Sequence, residues 1–110
     1  MCVVTEDEQF KALANTTRRT LLRLVRDDAQ PVGALAERVG VTQPAVSQHL
    51  AVLRDAGLVT VERVGRHRMY RADPVALADV RRFFDDYWSS AAHRLVNAAE
   101  RAADGRRAAS

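Results

Sequence analysis

One stretch of the chain constrains its backbone more tightly than the rest: Leu35-Ala36-Glu37-Arg38-Val39-Gly40-Val41-Thr42-Gln43-Pro44-Ala45-Val46-Ser47-Gln48-His49-Leu50. Ala36 is small enough to let two helices approach closely, and Gly40 can adopt the left-handed conformation that ends the first of them. Val46 can then fill the angle between the two helices. Thr42 is a natural N-cap, and Pro44 is tolerated in the first turn of the second helix. This spacing predicts a helix-turn-helix.

The second helix of this motif is expected to run to Gly57 and to present two unlike faces. Three apolar residues form its inward stripe at about 100° per residue, namely Val46, Leu50 and Leu53. The exposed N-terminal turns carry a proline with amide and hydroxyl side chains, namely Gln43, Pro44, Ser47 and Gln48. Glutamine and serine at an exposed helix start suit base edges in the major groove of DNA. The motif is therefore a candidate DNA reader.

A β-hairpin is predicted over residues 58–71, where β-branched residues flank the two-residue turn signal Gly65-Arg66. This register places Arg63 directly opposite Arg68. Like charges that face each other destabilise a hairpin unless an anion meets them. We expect Arg63, Arg66 and Arg68 to form a wing that contacts phosphate.

The charge of the chain is concentrated in its middle third. Residues 31–72 hold six arginines against three acids, whereas residues 1–30 and 73–110 balance at five against five and six against six, so the net +3 lies entirely in the middle. An arginine-rich but merely solvated surface would explain this excess as well as a polyanion site would. The charge alone therefore leaves both interpretations open.

Two short helices are predicted before the motif. Thr5 and Glu8 form a capping box for a helix over about residues 6–14. Either Asn15 or Thr16 can cap the second helix, whose arginines, Arg18, Arg19, Arg23 and Arg26, are expected to face solvent. Residues 27–31 are expected to form a loop.

The last helix is predicted to begin at Asp73-Pro74 and to reach about Arg101. Such a helix is ~42 Å long, whereas a domain of this size has a radius of gyration near ~13 Å. Its apolar residues recur every three or four positions, which favours a partner helix. The predicted dimerisation residues are Phe10, Leu77, Val80, Phe84, Trp88, Ala91 and Leu95.

The length and composition exclude several classes of protein. We expect one domain over residues 1–103 and a disordered tail over residues 104–110. No apolar run approaches the roughly 18 residues that a bilayer requires, and the start of the chain lacks the features of a signal peptide, so a cytoplasmic protein is expected. Cys2 is the only cysteine, which excludes an internal disulfide. No phosphate loop, catalytic triad or metal cage is present, so neither an enzyme nor a cofactor is predicted.

The ordered set of motifs resembles the ArsR/SmtB family of bacterial winged-helix repressors over about residues 10–98. The resemblance rests on residues 12–19, on the block 35–50, on Leu53-Arg54-Asp55-Ala56-Gly57-Leu58-Val59 and on Gly65-Arg66 before Tyr70. Thr16 departs from it, since many relatives have proline there. The resemblance implies a mostly α fold of five helices with a β-hairpin wing, and a homodimer joined by the first and last helices that binds a palindromic operator.

The resemblance also implies roles for individual residues. Gln43, Ser47 and Gln48 would contact bases, and the wing arginines would contact phosphate or the minor groove. Thr42 and His49 would contact the DNA backbone or brace the helix. For His49 the two roles, a DNA contact and a structural histidine, stay equally open.

Many members of the family release DNA when a metal binds, but this chain lacks the ligands that the resemblance would require. The arsenic-type cysteine positions correspond to Pro31, Gly33 and Ala36, none of which coordinates metal. The zinc-type site needs an Asp-x-His pair and a second histidine pair, whereas the last helix holds only His93. Asp86 lies seven residues before it on the same face, but a borderline ion needs more nitrogen or sulfur ligands. We therefore predict no metal site.

Two functions remain open from the sequence. The first is a repressor that binds double-stranded DNA and has an unknown effector. The second is a winged-helix module that binds a protein, for which association insensitive to salt would be typical. A small-molecule effector at the dimer seam is also open, since Phe83, Phe84, Tyr87 and Trp88 could line a pocket, although such clusters more often serve packing.

Overall fold

The computed structural model describes residues 5–109, which form five helices and three strands. The elements in chain order are α1 (Glu6–Leu13), α2 (Thr16–Leu24), β1 (Gln30–Pro31), α3 (Val32–Val39), α4 (Gln43–Asp55), β2 (Val59–Val64), β3 (His67–Ala72) and α5 (Pro74–Ala109). They divide into two compact units, with the boundary after Val80. The expected mostly α fold with a β-hairpin is confirmed.

Four helices begin at a side chain that caps them. The caps are Thr5 for α1, Asn15 for α2, Thr42 for α4 and Asp73 for α5, and each accepts a hydrogen bond of 2.9 to 3.3 Å from a backbone N–H of the first turn. Each such cap satisfies a donor that the helix cannot satisfy itself, which stabilises the helix by ~1 kcal/mol. The caps at Thr5, Thr42 and Asp73 are confirmed, and of the two candidate caps for α2 it is Asn15 that caps the helix.

Helices α3 and α4 form the predicted helix-turn-helix. Gly40 has a φ of 76°, and its N–H donates to the carbonyl of Ala36 at 2.9 Å, which closes the end of α3. Ala36 is buried between the helices, and Val46 is fully buried at the start of α4. Because φ in this range strains any residue with a Cβ, the turn requires glycine at position 40.

The core of the first unit is built from all of its helices and from strands β2 and β3. Its fully buried large side chains are Leu21, Val25, Leu35, Val46, Leu50, Leu53 and Leu58. Two backbone hydrogen bonds attach the end of β3 to residues that follow α2 and α4, from Ala72 N–H to the carbonyl of Val25 at 3.0 Å and from Asp73 N–H to the carbonyl of Leu58 at 2.8 Å. The inward stripe predicted for α4 is confirmed, because its three apolar residues are all part of this core.

The sheet contains the predicted hairpin and one strand more. Strands β2 and β3 are antiparallel, and Arg63 pairs with Arg68 as the turn signal predicts. The loop predicted over residues 27–31 is wrong at its end, because Gln30–Pro31 forms β1 and pairs with β3 on its other edge. A two-residue strand has no periodicity to detect, and its proline is tolerated because β1 is an edge strand.

Helix α5 extends further than the sequence predicts. Within the first unit its N-terminal part is capped by Asp73 and contributes Val80 to the core. Within the second unit the helix continues to Ala109, where the sequence predicts an end near Arg101 and a disordered tail from residue 104. Alanine and arginine dominate this segment, and both are strong helix formers, so Gly105 is accommodated. None of the described helices is long and apolar enough to cross a membrane.

Candidate nucleic-acid interface

The N-terminal turns of α4 present an exposed polar surface. Gln43, Pro44, Ser47 and Gln48 are all exposed, as is the cap residue Thr42. No acidic residue lies in the first turn of α4, whereas α1 has three there. The partial positive charge of the α4 N-terminus is therefore not offset locally, which favours an approaching phosphate.

The two glutamines of this surface differ in their surroundings. The amide nitrogen of Gln43 lies close to α3, since a Cβ added to Gly33 would be 3.6 Å from it. The hydroxyl of Ser47 and the amide of Gln48 make no hydrogen bond with any described residue. Ser47 and Gln48 therefore keep their donors and acceptors available for base edges.

His49 lies on a different side of the same helix. It is half-buried, and its Nδ1 is 3.4 Å from Nη1 of Arg18 in α2. It thus has a partner inside the protein, unlike its neighbour Gln48. This contact favours the bracing role among the two that the sequence leaves open.

The wing carries two arginines on the same face of the hairpin as the residues that pack into the core. Side chains two residues apart in a strand share a face, so Arg63 and Arg68 lie ~7 Å beyond Val61 and Tyr70 on the same side of the hairpin. Val61 and Tyr70 pack into the core. The hairpin's acid, Glu62, is on the opposite face. The arginine pair therefore extends the helix-facing side of the sheet without a neutralising neighbour.

The arginines of the hairpin and of the end of α4 fall into two groups. Arg63, Arg66 and Arg68 are exposed, and none forms an ion pair or hydrogen bond with a described residue. Arg54 pairs with Asp55 at 3.7 Å, and Arg71 donates to the carbonyl of Asp27 at 3.0 Å. The unpaired group coincides with the predicted phosphate contacts, whereas Arg71 serves to attach the strand to the loop after α2.

The prediction that Arg18 faces solvent is wrong. Arg18 is half-buried, and its guanidinium donates to the carbonyls of Ala12 at 2.6 Å and Lys11 at 3.1 Å. Arg19 donates to the carbonyl of Leu13 at 2.8 Å. Two consecutive arginines thus satisfy carbonyls at the end of α1. A signal was available, because α1 ends without a C-cap glycine and its last carbonyls need donors.

The predicted dimerisation residues occupy different environments. In the first unit Phe10 and Leu77 are half-buried against the core, and Val80 is only 5% exposed, which leaves it little surface for a partner. In the second unit the larger side chains are open, with Trp88 at 70% and Leu95 at 69% exposure. Phe84 is also exposed, and Ala91 is half-exposed. The most exposed members of this predicted set therefore lie beyond Val80.

Histidine, cysteine and acidic side chains do not gather into a metal site in the described part of the chain. No group of three or more such residues is close enough to hold an ion within residues 5–109. Asp86 and His93 are both exposed on the second unit. Cys2 lies outside the described residues.

Comparison with known proteins agrees with this geometry. A family model described as a helix-turn-helix domain matches residues 13–62. The chain is 41% identical over 85 residues to the HTH-type transcriptional regulator Rv2034 of Mycobacterium tuberculosis, which covers 77% of this chain and 79% of that relative. It is 40% identical over 73 residues to the HTH-type transcriptional repressor SmtB of the same species, covering 66% of this chain but 54% of the relative, or about half its length.

A solved structure shares the fold. It is the solution NMR structure of a homodimeric winged helix-turn-helix DNA-binding domain from Mycobacterium bovis, described as a possible ArsR-family transcriptional regulator. The TM-score is 0.60 at 33% identity, over 77% of this chain and 76% of that one. The fold and its exposed helix thus define a winged helix-turn-helix DNA-binding domain. The chain belongs to the ArsR/SmtB family of transcriptional regulators. This family and fold are those of regulators rather than of enzymes.

Proposed function

We propose that this protein is a homodimeric repressor that binds a palindromic operator. Helix α4 enters the major groove, where Ser47 and Gln48 contact base edges and Gln43 supplements them. The wing contacts phosphate through Arg63, Arg66 and Arg68 at the edge of the same site. One observation carries the proposal. The free polar start of α4 and the unpaired arginines of the wing belong to one compact unit, and both match what duplex DNA offers.

The charge distribution supports different roles for the start of α4, which would contact bases, and for the wing, which would contact phosphate. The described side chains of the α4 start are neutral hydrogen-bonding groups, which discriminate bases but do not attract the duplex from a distance. The wing contributes three positive charges with no described counter-ion, which attract any duplex alike. Thr42 already accepts a hydrogen bond from Ala45 N–H, so its remaining hydroxyl proton suits a phosphate oxygen.

The dimer is proposed to form through α1 and α5 of the two subunits. In the second unit Phe84, Trp88, Ala91 and Leu95 lie within a stripe about 60° wide on the helix surface. Large apolar side chains that recur along one stripe are typical of helix pairs. The related M. bovis domain is described as homodimeric, which adds support. Two subunits would present two α4 helices to successive major grooves.

The dimer can be tested without DNA. Leu95→Asp is expected to weaken self-association by at least about tenfold, because a partner helix would have to bury the carboxylate. Val96→Asp is the matched control, since Val96 is an exposed apolar neighbour about 100° away from the stripe. Sedimentation equilibrium measures the association, and the emission of Trp88, the single tryptophan, reports burial at the same site. Equal effects of the two substitutions would overturn this interface.

The DNA-binding proposal is tested by selection from a pool of random duplexes. The enriched duplex and a scrambled version are then compared by fluorescence anisotropy at about 50 and 200 mM salt. We expect the enriched sequences to contain two half-sites about 10 base pairs apart and to bind at least about 10³-fold more tightly than the scrambled duplex. Weak, equal binding to both duplexes would refute a sequence-specific regulator and favour a protein-binding module.

We further propose that the releasing signal is not a metal ion and that the protein acts in the cytoplasm, where its target DNA is. The positions of the family's thiol site hold Pro31, Gly33 and Ala36, which supply no ligand atom. Adding zinc, nickel or arsenite to the complex with the enriched duplex is expected to leave the anisotropy unchanged. Release by any of them at concentrations near the protein's own would contradict this part of the proposal.

A further inference from the structure

We infer that Arg18 is a positioning residue for DNA recognition, which sets the rotation of α4 through His49. The inference rests on the proposed role of α4 as the helix that contacts bases. It adds a residue of α2, outside the proposed DNA contacts, to those on which sequence discrimination depends.

The guanidinium of Arg18 connects two helices. Its Nε and Nη2 donate to the carbonyls of Ala12 and Lys11 at 2.6 and 3.1 Å, and its Nη1 lies 3.4 Å from His49 Nδ1. The backbone N–H of Arg18 is itself held by the cap residue Asn15 at 3.1 Å. One planar, rigid group therefore joins the end of α1 to the middle of α4, and its own backbone is fixed by the start of α2.

The contact supplies what the packing of α4 lacks. Val46, Leu50 and Leu53 bury the inner stripe, but apolar contacts are non-directional and allow small rotations about the helix axis. A rotation of about 10° moves a side chain at a radius of ~6 Å by about 1 Å. A shift of this size breaks a hydrogen bond to a base edge, whereas contacts to phosphate tolerate it. A directional bond next to Gln48 therefore serves sequence discrimination more than general affinity.

The chemistry of Arg18 and His49 determines which atom donates the hydrogen bond and which accepts it. Every N–H of arginine donates, so His49 Nδ1 has to accept, and the imidazole has to be neutral. A side chain without an acceptor at this position cannot hold the guanidinium. Removing the acceptor should therefore weaken discrimination even where the ring is kept.

A direct contact between His49 and phosphate would have a different effect. Removing the imidazole would then weaken binding to the enriched and scrambled duplexes alike, because phosphate contacts do not distinguish sequences. The effect of His49 substitutions on the two duplexes thus separates the two roles of His49 that the sequence leaves open.

Two substitutions of His49 test the hydrogen-bond acceptor and the aromatic ring separately. His49→Asn keeps an acceptor, Oδ1, at the position of Nδ1 but removes the ring, whereas His49→Phe keeps the ring and removes the acceptor. Arg18→Lys keeps the charge but loses the planar fork. Arg23→Lys is the matched control, because Arg23 is an exposed arginine of the same helix with no described partner.

The measurement is the ratio of affinities for the enriched and scrambled duplexes at about pH 8. We expect His49→Phe and Arg18→Lys to lower this ratio by roughly tenfold. The loss should come from weaker binding to the enriched duplex, and the affinity for the scrambled duplex should change by less than about twofold. His49→Asn should keep the ratio within about threefold of the wild type, and Arg23→Lys should leave it unchanged.

Several outcomes would overturn the inference. Equal ratios for His49→Phe, His49→Asn and the wild type would show that no acceptor is needed. An equal loss of affinity for both duplexes in His49→Phe and His49→Asn would assign His49 to phosphate instead. If Arg18→Lys fails to fold, as circular dichroism would reveal, the two His49 variants carry the test, since His49 has no other described hydrogen bond. A wild type without any sequence preference would refute the proposed function and this inference together.

Discussion

Replacing Arg68 with alanine tests the wing and also counts how many wings engage DNA. Arg68 is exposed, lies opposite Arg63 and makes no ion pair with a described residue. Its guanidinium is therefore free to displace counter-ions from the duplex. Because this contact is to phosphate, we expect Arg68→Ala to weaken the enriched and scrambled duplexes by the same factor.

The size of the effect follows from counter-ion release. Each phosphate contact contributes about 0.9 to the slope of log affinity against log salt, so a dimer that loses two contacts loses about 1.8. Between about 50 and 200 mM salt, the ratio of wild-type to variant affinity should then shrink by about tenfold. A single engaged wing would give a shrinkage of only about threefold.

Fluorescence anisotropy titrations at several salt concentrations measure this slope. Arg71→Ala is the matched control on the same strand, since Arg71 donates to the carbonyl of Asp27 and lies on the other face of the hairpin. Its slope should equal that of the wild type. The reasoning would be refuted if Arg71→Ala flattened the slope as much as Arg68→Ala does, because the face and pairing of the arginines would then be irrelevant.

Three further substitutions test the helix-turn-helix. Gln48→Ala should relax the preference at one base pair of each half-site by about 1–3 kcal/mol, and a repeated selection that returns the same consensus would contradict a base contact. Gly40→Ala should lower the free energy of unfolding by about 1–2 kcal/mol, measured by thermal unfolding, because alanine is strained at a φ of 76°. No atom lies within 4 Å of the added methyl group, so the strain is the only cost. Gly105→Ala is the control, because position 105 is equally open but helical, and it should not destabilise the protein. Leu50→Ala should lower the free energy of unfolding, measured in urea, by about 2–5 kcal/mol. Val52 is 41% exposed, so Val52→Ala should lower it by much less. Similar losses for the two variants would contradict the assigned inner face of α4.

Local signals account for the parts of the fold that the sequence predicts. The caps at Thr5, Thr42 and Asp73, the turn at Gly40 and the hairpin register at Gly65-Arg66 each depend on residues within a few positions of one another. Such interactions are nearly independent of the rest of the chain, because the donors and acceptors involved are neighbours in sequence. The candidate DNA surface follows from the same signals, since the phase of α4 is set by its cap and its apolar stripe.

Two other features have no signal in the local sequence that marks their boundaries. Strand β1 has only two residues and exists because β3 offers it an edge. The length of α5 beyond Arg101 follows from summed helix propensity rather than from any boundary signal.

The sequence by itself therefore determined the helix-turn-helix, the wing and the family resemblance, because these rest on short-range backbone chemistry. Only the tertiary structure decided which arginines are available to DNA. Arg63 and Arg68 stay unpaired, whereas Arg71 bonds a carbonyl 44 residues away and Arg18 reaches His49 31 residues away. An arginine side chain is long and flexible, with five donors, so its partner depends on which carbonyls and rings the fold brings within reach.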